Sequence, residues 1–408
     1  MTRRTFHRLL LTALLGGSST TATARPADRD KTEHTRPVEG NNAFAFDLYA
    51  RLRDQPGNLF FSPYSISTAL AMTYAGARGE TAAEMARVLH FPADQNALHP
   101  AYRELIMELN GHGLPRDYQL VVANALWGRR GRFLPDFLQT TRANYGAGLR
   151  DVNFALDPEQ ARRTINRWVE SQTRDKIKEL LQKDDVNKDT ELVLTNAIYF
   201  KAAWEHVFQP TATRKDADFH VSSDKTTKVD LMQQTQTFPY VDAGTFQALA
   251  LPYEGGDLQM LVLLPKAADG LAELEKGLTA AALRGCVAKL RPTRVEVALP
   301  KFKVNARLDV AGTLAAMGMP SAFRPDADFT GMNSRRGLYI SKVIHQAFVD
   351  VDEEGTEAAA ATAVVMIRAS APPTPAVRFR ADHPFVFLIR DTKTDSTLFL
   401  GRVLNPKA

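Results

Sequence analysis

The chain has 408 residues, of which 44% are hydrophobic and 24% are charged, a composition typical of a globular protein with a large buried core. Its single cysteine, Cys286, excludes an intramolecular disulfide, so packing alone must hold the fold together. The formal net charge of +5 falls to +2 without residues 1–24, which hold three arginines and no acidic residue. This near-balanced remainder argues against a nucleic-acid partner.

The first 24 residues have the features of an export signal. Three arginines precede a short apolar run at residues 9–15, and an Ala-x-Ala cleavage site follows at residues 22–24. The run is too short to span a bilayer, and Thr-Arg-Arg-x-Phe at residues 2–6 resembles a twin-arginine signal. We therefore expect residues 1–24 to be a signal peptide and the protein to be exported, as a secreted or periplasmic protein without a membrane span. The alternative is an ordinary secretory signal.

Residues 25–40 are polar and charged and contain two prolines, which predicts a flexible linker. From residue 41 onward, helical and strand patterns alternate without a repeat or a Pro/Gly-rich seam, which favours one large α+β domain over residues 41–408. Apolar residues at helical spacing predict three helical regions. One begins near Phe44, and the other two cover residues 68–90 and 159–181. Apolar or alternating runs predict strands at 249–252, 259–264, 295–299, 343–351 and 385–389.

Enzyme signatures are missing from the sequence. There is no Gly-x-Ser-x-Gly elbow, phosphate loop or dinucleotide glycine pattern, and none of the nine histidines is followed by glutamate. Cys286 lies in an Ala/Leu-rich helical context, which favours a small packed residue over a nucleophile. We therefore expect no catalytic, cofactor or metal site, although a catalytic triad assembled from distant residues stays an alternative.

The segment 343–380 is the most informative part of the chain. After the strand at 343–351, Gly355 permits a turn, and residues 356–363 are small except for Glu357. Local propensity alone favours a surface helix capped by Thr356. The same stretch also fits a mobile loop that can become a strand, because every second residue from Thr356 to Met366 is small or apolar. Glu357 would then face the opposite side of the sheet.

Several motifs resemble those of the serpin family and occur in that family's order. Residues 353–363, Glu-Glu-Gly-Thr-Glu-Ala-Ala-Ala-Ala-Thr-Ala, resemble the hinge of its inhibitory members, and residues 58–66 resemble its amino-terminal motif. Residues 195–201 resemble its central strand, and residues 379–389 its carboxyl-terminal signature. The resemblance to an exported bacterial inhibitory serpin implies a single α+β domain of about nine helices and three β-sheets. It also implies an exposed reactive-centre loop at about 353–376.

The resemblance implies a monomeric protease inhibitor, without a cofactor or metal, that acts as bait. A target serine protease, or alternatively a cysteine protease, cleaves the loop and is trapped as an acyl-enzyme while the loop inserts into the main sheet. The hinge that would enter first comprises Glu353, Glu354, Gly355, Thr356, Glu357, Ala358, Ala359, Ala360 and Ala361.

Further residues take expected places from the same resemblance. Ser62, Asn196 and His345 would lie at the shutter, where the central strands part. Trp204 and Thr356 would lie at the breach, where insertion begins, and the breach would also hold an ion pair between Lys301 and Glu353.

Counting from the hinge by the family's spacing places the scissile bond between Ala369 and Ser370, and alanine suits the shallow pocket of elastase-like or subtilisin-like proteases. A loop shorter by one residue would place the bond between Arg368 and Ala369, which suits a trypsin-like enzyme. A non-inhibitory carrier or chaperone with the same fold is a further alternative.

Overall fold

The computed structural model describes residues 26–129, 133–146, 149–356 and 375–408. The α-helices of the described residues are α1 (Pro26–Leu52), α2 (Pro63–Tyr74), α3 (Gly79–Leu89), α4 (Gln95–Leu109), α5 (Pro135–Tyr145), α6 (Pro158–Gln172), α7 (Leu271–Gly277), α8 (Ala280–Val287) and α9 (Ala311–Met317). The strands are β1 (Leu59–Phe61), β2 (Tyr118–Gly128), β3 (Leu149–Asp151), β4 (Leu192–Ala203), β5 (Arg214–Ser222), β6 (Lys225–Asp242), β7 (Phe246–Pro252), β8 (Leu258–Pro265), β9 (Arg291–Pro300), β10 (Phe302–Asp309), β11 (Ile340–Val351), β12 (Gly355–Thr356), β13 (Val377–Arg380), β14 (Phe385–Asp391) and β15 (Thr397–Val403).

The described strands form two hydrogen-bonded sheets. The larger has the order β1-β15-β14-β8-β7-β6-β9-β13, with β5 also paired to β6, and the smaller has the order β10-β11-β12-β4-β2-β3. The resemblance implied three sheets. Two of these are continuous in the structure because β6, at 18 residues, pairs with β9 along most of its length and with β7 at its end.

Helix α2 lies between the two sheets and the outer helices, and every one of its residues is buried. The residues at its start favour helix initiation. The Ser62 side chain accepts a hydrogen bond from the Ser65 amide, and Pro63 occupies the first helical position. The opposite face of the six-stranded sheet is covered by α6, whose Ile165 and Val169 pack with Ala123 of β2 in one buried cluster. The central strands are therefore buried on both faces.

Aromatic side chains fill the space between the sheets. The ring of Phe60 stacks on those of Phe387 and Phe399, with centroids 5.5 and 5.1 Å apart, and Phe399 in turn contacts Phe200 of β4. Each such buried side chain stabilises the fold by roughly 1.5–3 kcal/mol relative to an exposed one. This cluster supplies the packing energy that a chain with one cysteine needs.

The amino-terminal boundary of the domain differs from the expectation. Residues 25–40 were expected to form a flexible linker, but α1 begins at Pro26 and continues through this stretch. Charged residues such as Arg, Lys and Glu are good helix formers, and a proline at the first helical position is well tolerated. Val38 is already buried, so packing against the domain begins within the predicted linker.

No helix of the described residues is long and apolar enough to cross a membrane. The predicted signal peptide at residues 1–24 lies outside the described residues.

Candidate functional site between strands β4 and β11

The central strands β4 and β11 run parallel and pair directly from Leu192 to Tyr199 and from Ile340 to Phe348. Beyond that point they separate, and the two-residue strand β12 lies between them, antiparallel to both. Gly355 pairs with Ala203 of β4, and Thr356 pairs with Ala202 of β4 and Val351 of β11. The sheet is therefore closed along most of its length and opened at one end by the first residues of the predicted hinge.

A tight turn brings the chain from β11 back into the sheet as β12. The Asp352 carboxylate accepts hydrogen bonds from the amides of Glu354 and Gly355, at 2.9 and 3.2 Å, and the Asp352 amide donates to the Gly355 carbonyl at 3.0 Å. A Cβ atom on Gly355 would lie 2.1 Å from the backbone oxygen of Ala202. Only glycine allows so close an approach of this turn to β4.

Thr356 is fully buried, and its hydroxyl lies 2.7 Å from the hydroxyl of Tyr253. Its side chain therefore faces the core between the sheets, which is the side that the alternating pattern assigned to it. Thr356 belongs to strand β12, and the residues of the alternative interpretation, a surface helix capped by Thr356, lie outside the described residues.

Trp204 holds the turn in place at the breach. Its indole stacks on the ring of Tyr253, with centroids 4.6 Å apart and planes at 10°. The indole Nε1 donates to the Asp352 carbonyl at 3.0 Å, and the Trp204 amide donates to the Glu354 carbonyl at 2.9 Å. Trp204 thus connects β4 to both sides of the turn that carries the hinge.

The expected ion pair between Lys301 and Glu353 is present at the same end of the sheet. Thr213 also donates to the Glu353 carboxylate, at 2.8 Å. Burial opposes ionisation of this carboxyl group, but the hydrogen bonds from Lys301 and Thr213 outweigh it and lower the pKa of Glu353. Glu353 is therefore held as an anion, while the Lys301 side chain stays about one-third exposed (32%).

The three residues expected at the shutter lie together where β4 and β11 are still paired. The Ser62 amide donates to Nε2 of His345 at 3.0 Å, so this nitrogen is the acceptor of a neutral ring. The Nδ1–H group then donates to the side-chain oxygen of Asn196, which is the cross-strand partner of His345. Complete burial lowers the pKa of His345 to about 3 and keeps the imidazole uncharged.

The sequence did not point to two residues of this network, Asn124 and Ser65. Asn124 of β2 is the register partner of Asn196, and its side-chain oxygen accepts from the Asn196 amide at 2.7 Å and from the Ser65 hydroxyl at 3.0 Å. Its amide group donates to the Ser65 carbonyl at 3.0 Å. The signal that could have found Asn124 is a lone amide within the apolar strand Val-Val-Ala-Asn-Ala-Leu.

Helix α2 and the three strands are thereby joined by buried neutral hydrogen bonds. Ser62 adds a link to the second sheet, since its hydroxyl donates to the Leu398 carbonyl of β15 at 2.6 Å. The shutter is defined here as Ser62, Ser65, Asn124, Asn196 and His345, and the breach as Trp204, Thr213, Tyr253, Lys301 and residues 352–356.

The remaining predicted site residues lie outside the described residues. These are Glu357, Ala358, Ala359, Ala360 and Ala361 of the hinge, and Arg368, Ala369 and Ser370 at the predicted scissile bond. The description resumes at residue 375, and β13 there pairs with β9 of the other sheet. In the part of the chain that the structure describes, no group of histidine, cysteine and carboxylate side chains could hold a metal ion.

Comparisons with known proteins agree with this geometry. Residues 39–406 match the family model described as serpin (serine protease inhibitor). Leukocyte elastase inhibitor of Bos taurus is 44% identical over 377 residues, which cover 90% of this chain and 98% of that protein. That relative is an inhibitor of a protease by name, which supports a protease as the partner and an inhibitor rather than an enzyme.

Solved structures give the same result. Serpin48 of the insect Tenebrio molitor, described as a highly specific serpin, is 33% identical and superposes with a TM-score of 0.81 over 94% of this chain and 100% of its own. Human thyroxine-binding globulin, solved with its ligand, is 30% identical with a TM-score of 0.83, covering 92% and 99% of the two chains. The chain belongs to the serpin family of serine protease inhibitors.

Proposed function

We propose that this protein traps its target irreversibly, through cleavage of the loop that follows Thr356 and insertion of that loop between β4 and β11. The observation that carries the proposal is the position of β12. Thr356 already pairs as a strand residue with both neighbours, while β4 and β11 pair with each other from Tyr199 and Phe348 onward. A continuing strand would extend this start as β4 and β11 separate.

The chemistry of trapping follows from where the chain is cut. The protease serine oxygen attacks the carbonyl carbon of the residue before the scissile bond, and the amine of the next residue leaves with a proton. The cut frees the loop from β13, so the part attached to Thr356 can insert with the protease still bound as an ester. Hydrolysis of that ester would release the protease, so insertion must be faster than hydrolysis.

The energy of insertion is large on the scale of folding. An inserted stretch of about a dozen residues gains on the order of ten net hydrogen bonds, each contributing roughly 0.5–1.5 kcal/mol. The sum is comparable to the whole stability of a typical domain, about 5–15 kcal/mol. The uncleaved protein is therefore metastable and is kept from inserting by a kinetic barrier.

The small residues after Thr356 favour rapid insertion. Ala358, Ala360 and Thr362 follow it at alternate positions, so in an inserted strand they would face the core as Thr356 does. None of them is charged. Glu357 falls on the opposite parity. Insertion of these residues therefore buries no charge on the core side of the sheet.

We place the scissile bond between Ala369 and Ser370, with elastase-like or subtilisin-like proteases as targets. The support is the small side chain of Ala369 together with 44% identity to a protein named leukocyte elastase inhibitor. Cleavage between Arg368 and Ala369 by a trypsin-like enzyme is the alternative, and a cysteine protease is a further target class.

A carrier function is the second candidate, because thyroxine-binding globulin shares the fold at a TM-score of 0.83. The small uncharged residues 358–363 favour inhibition over this candidate, since a carrier has no need of a stretch that can insert.

We further propose that the protein is a monomer exported through the twin-arginine signal at residues 2–6. Replacement of Arg3 and Arg4 with lysine would block that route, and normal export of the variant would point to the general secretory pathway.

The decisive experiment mixes the protein with pancreatic elastase, subtilisin and trypsin, followed by denaturing gels and mass spectrometry of the released fragment. A detergent-resistant complex and a fragment that begins at Ser370 are expected. A complex with a fragment that begins at Ala369 would keep the mechanism and change the target class. Cleavage by all three enzymes without a complex would refute trapping and favour the carrier.

A further inference from the structure

The pairing between β4 and β11 is irregular at the end of the sheet that lies away from the breach. In β11, Ile340 and Lys342 pair with two adjacent residues of β4, Leu192 and Val193. Ser341 is therefore an extra residue of β11 without a register partner on β4. Such a β-bulge is rare between parallel strands and interrupts the ladder of backbone hydrogen bonds. The closed sheet thus contains a bulge at the point where β4 begins.

A side chain bridges the two strands at this bulge. The hydroxyl oxygen of Ser341 accepts a hydrogen bond from the Glu191 amide at 3.1 Å. Because Glu191 directly precedes β4, this bond crosses between the two strands that an entering strand must separate. The neighbouring contact of Lys342 does not cross there. Its ammonium group pairs with Asp309 of β10 at 2.9 Å, and β10 lies on the other side of β11.

The register of β12 shows when an entering strand meets this contact. Under the proposed function, on which this inference rests, the strand starts at Thr356 opposite Ala202 and runs antiparallel to β4. It passes the shutter and reaches Leu192 ten residues later, because Leu192 lies ten residues before Ala202. The residue of the proposed ester follows three residues after that. The Ser341 contact therefore has to open before the protease is carried to the end of the sheet.

We infer that the hydrogen bond between Ser341 and the Glu191 amide, called here the latch, controls the last stage of insertion. At the bulged position a hydroxyl group takes the place of a backbone acceptor and holds the closed sheet together. When a strand enters between β4 and β11, the latch is broken, and the new strand offers its own backbone acceptors to β4. The latch therefore stabilises the closed sheet and not the inserted one.

The latch affects the outcome of trapping through the rate of insertion. One net hydrogen bond changes an equilibrium or a rate by roughly two- to tenfold. Because hydrolysis of the ester competes with insertion, a slower last stage allows more of the protease to escape. Ser341 is thus a positioning residue, which does not touch the reacting atoms but influences the ratio of trapped to released protease.

The test compares the wild type with Ser341→Ala, which removes the hydroxyl and keeps a small side chain. Each protein is mixed with a saturating excess of the enzyme that forms the complex, expected to be pancreatic elastase. Rapid quenching and denaturing gels then give the rate at which the detergent-resistant complex forms. This limiting rate should rise about two- to fivefold in Ser341→Ala, and the fraction cleaved without trapping should fall. Ser341→Thr restores a hydroxyl and should return both values to those of the wild type.

Thr279→Ala is the matched control. The Thr279 hydroxyl also accepts a hydrogen bond from a backbone amide at 3.1 Å, that of Ala282, but at the start of α8, which belongs to neither sheet. Before cleavage, both alanine variants should melt about 1–3 °C below the wild type. After cleavage at the scissile bond, Ser341→Ala should melt with the wild type because the latch is already open, whereas Thr279→Ala should keep its deficit. Moderate denaturant brings both forms into a measurable range.

Three results would overturn the latch while leaving trapping intact. These are a wild-type rate in Ser341→Ala, equal losses of stability before and after cleavage in that variant, and a rate in Thr279→Ala that rises as much as in Ser341→Ala. The third would show that any loss of stability speeds insertion. Absence of the complex in the wild type would instead refute the proposed function, and the latch with it.

Discussion

Strands β4 and β11 are held at two places by different kinds of contact. At the breach, the turn at 352–356 is anchored by a stacked tryptophan and by an ion pair whose lysine is partly exposed. At the shutter, His345 and Asn196 pair directly, and every group of the network is neutral and buried. Exposed ion pairs contribute about 0–1 kcal/mol, whereas loss of one partner in a buried network costs about 1–3 kcal/mol.

The breach and the shutter therefore have different roles along the same pair of strands. At the breach, the turn presents the first residues of a new strand. Its contacts fix the direction of the chain but contribute little to the stability of the fold. The shutter resists separation of the strands, because its opening leaves buried donors and acceptors unpaired. We therefore expect the barrier that preserves the metastable state to lie at the shutter. We expect the breach to determine which residues can enter the sheet as a strand.

The largest effect is expected from Thr356→Arg at the breach. Thr356 is already fully buried beside Tyr253 in the uncleaved protein, so an arginine there must either bury a charge or displace β12 from the sheet, and displacement removes the start from which insertion would continue. The variant should still be cleaved in its loop, but almost none of the protease should appear as a detergent-resistant complex on gels. Thr356→Ser, which keeps the hydroxyl, is the control and should trap normally. Normal trapping by the arginine variant would show that insertion does not depend on β12 as its start.

Asn196→Ala should produce the next largest effect, at the shutter. It leaves the Nδ1–H of His345 without an acceptor and removes a donor from Asn124. The free energy of unfolding of the uncleaved protein should fall by about 1–3 kcal/mol in urea titrations. Asn144→Ala, which removes one hydrogen bond within α5, is the control and should cost less. An equal loss in both variants would contradict a special role for the shutter.

The pH dependence of stability sharpens the comparison further. His345 has a pKa of about 3 in the folded protein, against about 6.5 for an unfolded histidine. Between these values the unfolded chain binds a proton that the folded protein does not, so stability falls as pH decreases from about 6.5. The wild type should lose up to about 1.4 kcal/mol more per pH unit than His345→Gln. Parallel pH profiles for the two proteins would contradict a neutral buried histidine.

The smallest effect is expected from Glu353→Gln. The amide keeps an acceptor for Thr213 and removes the charge that faces Lys301. Because Lys301 is partly exposed, urea unfolding should show a loss of about 1 kcal/mol or less, and 1 M salt should reduce the difference from wild type. A loss larger than that of Asn196→Ala would reverse the assignment of the barrier to the shutter.

Much of this arrangement could be predicted from the sequence, because the motifs that resemble the family identify strands and the residues within them. The predicted strand at 343–351 lies within β11, and Ser62, Asn196 and His345 meet as expected. Asn124 was missed because a single amide in an apolar strand reveals its partners only when the register with β4 is known. The helix at residues 26–40 was missed because polar composition was taken as evidence of disorder, although arginine, lysine and glutamate within it are good helix formers.

At Thr356 the local sequence allowed two interpretations, the cap of a helix and a residue of a strand. Thr356 pairs as a strand residue because backbone partners on both sides and the Tyr253 hydroxyl are available to it. That choice depends on β4 and β11, which are distant in the chain, so no local pattern could decide it.

The most direct test of the account is the thermal unfolding of the protein before and after cleavage of its loop. Insertion between β4 and β11 predicts that the cleaved protein melts at least about 20 °C higher, because it gains on the order of ten hydrogen bonds within the sheet. Cleaved Thr356→Arg should not show this rise. Identical melting temperatures for the cleaved and uncleaved wild type would contradict strand insertion and, with it, the proposed trapping mechanism.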